Sequence, residues 1–158
     1  MKLHNHTKLI ISILLPILAG VLGSLFTFSG MSSWYEGLVK PAFNPPGWLF
    51  APVWTGLYVL MGCALYYIWV DGERGNLKRK AIFFFIIQLI LNALWSIIFF
   101  GLKNPTLAFV ELIILLAAVV LTTHHFYKLF KPAAWLLVPY TLWLLFAGYL
   151  NLGIILLN

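Results

Sequence analysis

Charge is scarce in this chain. Only 9% of its 158 residues are charged, and the acids number four: Glu36, Asp71, Glu73 and Glu111. A soluble domain carries about 25% charged residues, so a soluble fold is excluded and the bilayer must act as solvent. Four acids are too few for carboxylate chemistry within a membrane. No nucleotide-binding, zincin, nucleophile-elbow or paired-carboxylate motif is present. The lone cysteine, Cys63, excludes an internal disulfide framework and sits in an apolar run, where a packed thiol is expected. Low-complexity stretches and internal repeats are also lacking. The formal charge of +6 would suggest nucleic acid or acidic lipid in a soluble protein. Here its distribution reports orientation instead, and no nucleic-acid partner is expected.

What is abundant is apolar: 63% of the residues are hydrophobic. A spanning helix needs about 20 mostly apolar residues, and five segments qualify: 9–28, 48–70, 81–102, 106–127 and 133–157. The runs are continuous and do not alternate, so a barrel is excluded, and backbone pairing in lipid then demands helices. The expected fold is an all-α integral membrane protein, a single five-helix transmembrane domain over residues 1–158. The first run follows a basic start and is 20 residues long. A secretory signal core spans about 7–15 and ends in a small-residue cleavage site, so the run is expected to be a retained span. An odd number of spans argues against two inverted halves. Pro105 and Pro132 fall at helix starts, where a missing N–H costs little. Pro16, Pro52 and Pro139 should bend their spans.

Eight basic residues fall on one side of these spans: Lys2, Lys8, Arg74, Lys78, Arg79, Lys80, Lys128 and Lys131. Two, Lys40 and Lys103, fall on the other. The bias predicts a cytoplasmic N-terminus, an outer C-terminus and an outward-facing loop at 29–47.

Helical spacing puts unusual residues on shared faces. Gln88, Asn92 and Trp95 form one stripe on the third span. Trp143, Ala147 and Asn151, with Tyr140 nearby, form another on the fifth. Trp54 and Tyr58, continued by Gly62, form one on the second. Amides in hydrocarbon must be paired, so these faces point inward. Two readings are open from periodicity: interhelical glue, or an aromatic pocket with a few polar groups. Trp34, Trp48, Trp69 and Trp135 suit the role of interfacial anchors.

Glu111 is the one intramembrane acid; a structural role is expected, either neutral or hydrogen-bonded to a neighbouring helix. His124 and His125 point about 100° apart on a helix, with no Cys, Asp or Glu nearby in sequence. With His4 and His6 they are expected to be interfacial or loop residues, and no metal site is expected. Ala19, Gly20, Gly23 and Ser24 on the first span allow close backbone approach, as an internal or a dimer face. A sterol-type pattern over residues 121–131 is a weak signal.

The loop 29–47 and the start of the second span carry WYEGLVKPAFNPPGWLFAPVW, residues 34–54, a strip with three of the seven tryptophans and four of the eight prolines. This strip, followed by GLYVLMG and YYIW, resembles the first loop and second helix of the translocator protein family. That family is also called the peripheral benzodiazepine receptor or tryptophan-rich sensory protein family. QLILNALWSIIFFGLKNPTLAFVE and AAWLLVPYTLWLLFAGYLNLGIILLN extend the resemblance from about Trp34 onward. It implies a five-helix bundle whose first loop folds over a pocket. The ligands it implies are porphyrins and related tetrapyrroles, and benzodiazepine or isoquinoline-type molecules. The pocket positions carried over are Tyr35, Trp54, Asn92, Trp95, Trp143, Phe146, Ala147 and Asn151; the stripes add Tyr58 and Gln88. Trp34, Lys40, Pro41, Pro45 and Pro46 would form the lid, its prolines enforcing extended backbone. Gly148 beside Ala147 should make that wall roomier. The sterol-recognition pattern that animal members carry on the fifth helix is missing, so cholesterol transport is not expected.

The expected function is thus membrane-embedded binding or sensing of tetrapyrroles, with transport or buffering of them. The partners are a tetrapyrrole or another hydrophobic small molecule, the lipid bilayer and, as in the family, a second copy in a homodimer. A porphyrin or haem-type ligand is expected and no cofactor is required. No general acid–base pair supports ordinary turnover. The enzymatic alternative is tryptophan-dependent, light- or oxygen-dependent porphyrin breakdown at Trp54 and Trp143. A small-molecule transporter is a further alternative, though intramembrane charge pairs are lacking. With no Arg-rich leader, a bacterial cytoplasmic membrane is the expected location.

Overall fold

A computed structural model describes residues 5–30, 34–71 and 75–158. Lys2 and Arg74, used in the charge count, and His4 lie outside the described residues, as do residues 31–33 of the first loop. The helices are α1 (Asn5–Gly30), α2 (Gly47–Asp71), α3 (Asn76–Ser96), α4 (Pro105–Leu129), α5 (Lys131–Trp135) and α6 (Val138–Leu157). They make up five spans long and apolar enough to cross a membrane, and no strand occurs among the described residues.

The helices overrun the apolar segments at several ends. α3 begins at Asn76 and carries Lys78, Arg79 and Lys80 in its first turns. Hydropathy marks only the stretch in hydrocarbon; a helix continues into the interface until its backbone is capped. At α4 that cap is Asn104, whose side chain accepts from the Leu107 N–H at 3.0 Å, with Pro105 in the first turn.

Two breaks do not follow from hydropathy. α3 ends in a π turn, Ile97–Gly101, closed by the Leu102 N–H on the Ile97 carbonyl at 2.9 Å. The fifth span splits at residues 136–137, and Pro139 lies in the first turn of α6. Proline cannot donate to the preceding turn, so the helix restarts there rather than bending. α1 and α2 run through Pro16 and Pro52.

α1 packs on α2 and α3, α3 on α4, and α4 on α6, while α2 meets α3 and α6 only lightly. The gap left among α2, α3 and α6 holds the cavity described below. The core around it is built from Met61, Phe85, Leu115, Phe126 and Tyr140 among others. Leucine, isoleucine and valine side chains of α1, α4 and α6 face outward, as a lipid-exposed surface requires.

The small residues of α1 turn inward. A Cβ on Gly20 would collide with the Tyr58 ring, and one on Gly23 would lie 3.1 Å from Ser96 Oγ. This face joins α1 to α2 and α3, so close approach serves internal packing. Trp48 and Trp135 are exposed near helix ends, as anchors should be. Trp34 instead turns in, edge-on to Phe99 at 5.7 Å. Glu111 is buried and neither carboxyl oxygen has a hydrogen-bond partner, so the hydrogen-bonded alternative is not what the structure shows. His125 packs its ring on Phe84 and lies 2.7 Å from the Leu121 carbonyl through Nδ1.

Candidate functional site

The cavity has a volume of about 560 Å³ and receives side chains from α1, α2, α3, α4 and α6. Its walls are built by the stripes. On α2, Trp54 stacks on Tyr58, with centroids 5.4 Å apart and planes at 27°. Trp54 also meets Trp143 of α6 edge-on at 6.5 Å. Phe50 also meets Trp143 edge-on at 6.0 Å. Trp95 of α3 stacks on Phe99 at 4.9 Å. Indoles from three helices therefore border one space.

Its floor is a hydrogen-bonded tie. The Tyr58 hydroxyl donates to Asn92 Oδ1 at 2.8 Å, and Asn92 Nδ2 donates to the Tyr140 hydroxyl at 3.1 Å. One amide thus joins α2, α3 and α6. Asn151 is engaged on one side only: Nδ2 donates to the Pro105 carbonyl at 3.0 Å, while its buried Oδ1 has no partner. Trp95 Nε1 is likewise buried without a partner.

The lid comes from the loop between α1 and α2. Tyr35 packs edge-on against Phe99 and Phe100 of the π turn and lines the cavity. Its hydroxyl donates to Asn44 Oδ1 at 3.2 Å, and burial holds the phenol above the ordinary tyrosine range. Lys40 lies over the Tyr35 ring, 5.0 Å from its centroid. Pro41 is buried where Gly153 leaves room; a Cβ on that glycine would sit 2.5 Å from Pro41 Cβ. The Tyr149 hydroxyl donates to the Ala42 carbonyl at 2.9 Å, and Phe43 turns outward with φ 62°. Lys40, Pro45 and Pro46 line a second hollow of about 460 Å³ within the loop. It shares Tyr35, Gly47 and Phe50 with the main cavity.

Of the sequence-derived positions, Tyr35, Trp54, Tyr58, Asn92, Trp95, Trp143, Ala147 and Asn151 come together around the cavity. Gln88 does not. It lies one turn from Asn92, away from the lid, 1% exposed, with neither amide atom partnered. Phe146 packs behind Trp143 and against Tyr149 rather than lining the space. Gly148 faces Leu112 of α4, so the roominess of this wall rests on Ala147 alone. Sequence reasoning missed Phe50, Ser96, Phe99 and Phe100, and the α1 wall of Ile17, Gly20, Val21, Ser24 and Thr27. The small residues of α1 were visible, but their spacing signals packing as readily as a cavity wall. Phe99 and Phe100 reach the space because of the π turn, which no apolar periodicity announces.

Residues 12–157 match the TspO/MBR family. The chain belongs to the TspO/MBR family. It is 49% identical to the "Tryptophan-rich protein TspO" of Archaeoglobus fulgidus, over 98% of this chain and 99% of that one. It is 44% identical to the protein of the same name from Chlorobaculum tepidum, over 91% of each chain. The human "Translocator protein" is 39% identical over 87% of this chain and 82% of its own length. TspO/MBR membership and five apolar helices make this an integral membrane protein. Trp54, Trp95 and Trp143 are indoles that border the cavity.

Proposed function

We propose that the protein binds porphyrins and related tetrapyrroles in the lid-covered cavity and buffers or moves them across the membrane. The observation that carries this reading is the wall of three indoles, Trp54, Trp95 and Trp143, on three helices around one cavity of about 560 Å³. A flat macrocycle stacks well on indole and phenol faces, and the volume lies within the range of small-molecule sites, about 300–1,000 Å³. The name of the human relative, "Translocator protein", agrees with movement of a ligand. Benzodiazepine and isoquinoline-type molecules are flat and apolar enough to share the site. In this reading, which the charge bias supports for orientation, the N-terminus is cytoplasmic and the lid lies outside, and the membrane is a bacterial cytoplasmic one. A second copy completes a homodimer in this reading.

The test is a titration of purified protein with a porphyrin, followed by fluorescence. Saturable quenching is expected, and Trp143→Ala should weaken it roughly tenfold by removing one stacking wall. Unchanged affinity in that variant would show that the ligand sits elsewhere.

One observation favours an enzymatic reading as the alternative. Trp54 is in ring contact with Trp143, Tyr58 and Tyr140, a cluster able to share an oxidised state when light and dioxygen supply the oxidant. A bilin-like product that forms with the native chain and is lost in Trp54→Phe would support it; binding without conversion would count against it.

A further inference from the structure

We propose that the loop hollow is a subsite for an anionic substituent of the ligand, held by the Lys40 ammonium, and that it turns the charged edge of a flat ligand toward the lid. The chemical class is a carboxylate on a short chain at the rim of a macrocycle. The proposal rests on the reading of the main cavity as a tetrapyrrole site and adds the charge the ligand carries and the way it lies.

The two spaces share a wall. Tyr35, Gly47 and Phe50 line both the main cavity and the loop hollow of about 460 Å³, and Gly47 adds no side chain to that boundary. The hollow supplies what the cavity lacks. No Lys, Arg, His, Asp or Glu is among the described residues lining the cavity, whereas Lys40 and Glu36 line the hollow. An ionised group inside the cavity would have no counter-charge, which is strongly unfavourable. A ligand with an apolar ring system and an anionic chain must therefore put the two in different spaces.

Lys40 is placed for the anion. Its Nζ stands 5.0 Å from the centroid of the Tyr35 ring, which lines both spaces. That ring is fixed by its hydroxyl on Asn44 Oδ1 and by edge-on contacts with Phe99 and Phe100. Among the described residues, the hydrogen-bond partners of Nζ are the carbonyls of Glu36 and Leu38, at 3.3 and 3.4 Å. An ammonium–carboxylate bond closes to about 2.7–2.9 Å. These two contacts are long, so a carboxylate in the hollow would displace the carbonyls. Lys40 is half-buried, and no carboxylate among the described residues pairs with it. Glu36 is exposed and offers Lys40 its backbone carbonyl instead. Water and salt screen a half-buried cation less than a solvated one, so it attracts an anion more strongly.

Three porphyrins of matched ring structure isolate the charge: mesoporphyrin diacid, its dimethyl ester and the all-alkyl etioporphyrin. Each is titrated by fluorescence against the native chain, Lys40→Gln and Lys40→Arg in the same nonionic micelle, so that partition into detergent cancels between chains. Lys40→Gln removes the charge and keeps most of the stem. It should weaken the diacid about tenfold and shift the ester and etioporphyrin by less than about twofold. Lys40→Arg keeps the charge and should hold the diacid within about threefold of the native chain. Unchanged diacid affinity in Lys40→Gln overturns the subsite. An equal loss for all three porphyrins also overturns it, because Lys40 would then only support the lid. So does a diacid loss in Lys40→Arg as large as that in Lys40→Gln. In each of these cases, saturable binding of etioporphyrin by the native chain leaves the tetrapyrrole reading standing; if no porphyrin binds the native chain, both fall.

Discussion

Asn158 holds Val39 by both its backbone N–H and its carbonyl. Its Nδ2 donates to the Val39 carbonyl and its Oδ1 accepts from the Val39 N–H, each at 3.0 Å, across 119 positions of sequence. The same Nδ2 also donates to the Ile154 carbonyl at 2.9 Å, which fixes the amide on α6. With Tyr149 on Ala42 and Pro41 against Gly153, one helix grips the lid at three successive points. The lid stores some strain against this grip, since a non-glycine residue such as Phe43 in the left-handed region costs about 1–2 kcal/mol.

Asn158→Ala should therefore free the lid without altering the cavity. Both association and dissociation of a bound porphyrin should quicken, about three- to tenfold, with a smaller change in affinity. Stopped-flow fluorescence of the native chain and the variant measures this. Rates that stay equal would show that the lid does not limit access.

Asn92 is expected to matter more for stability than for recognition. Tyr58→Phe removes one bond of the tie and should cost about 0.6–1.5 kcal/mol, the range of interhelical hydrogen bonds in membranes. Asn92→Ala removes both and leaves the fully buried Tyr140 hydroxyl without its amide, so about 1–3 kcal/mol is expected. Unfolding in mixed detergent micelles reads the difference. A larger loss from Tyr58→Phe than from Asn92→Ala would contradict the tie.

These residues also show what the sequence makes legible. The amide and indole stripes were readable because a helix repeats every 3.6 residues and a polar group in lipid must face inward. That argument brings Trp54, Asn92, Trp143 and Asn151 to one space, but it includes Gln88, which shares the face of Asn92 one turn too far from the lid. Periodicity fixes direction around a helix and says little about depth along it. Phe146 came from resemblance, and its ring packs behind Trp143 instead. The π turn at 97–101 and the restart at Val138 depend on local backbone pairing near Pro105 and Pro139, which hydropathy averages away. The grip of Asn158 on Val39 joins residues too far apart in sequence for any local pattern to reveal.

Ala147 offers the sharpest separation of fold from function. It lines the cavity between Trp143 and Asn151 on α6, and nothing larger stands at that position to narrow the space. Ala147→Leu adds three carbons to this wall. In a packed core such an addition strains its neighbours by about 1–3 kcal/mol, but here the added atoms enter open volume and remove apolar cavity surface. The variant should be as stable as the native chain or slightly more so. Its porphyrin affinity should fall at least tenfold, because the ring can no longer lie flat against Trp143. Thermal unfolding and fluorescence titration on the same preparation measure the two quantities. Lower stability with unchanged affinity, the opposite pattern, would mean that this wall is packed core and that the ligand lies elsewhere.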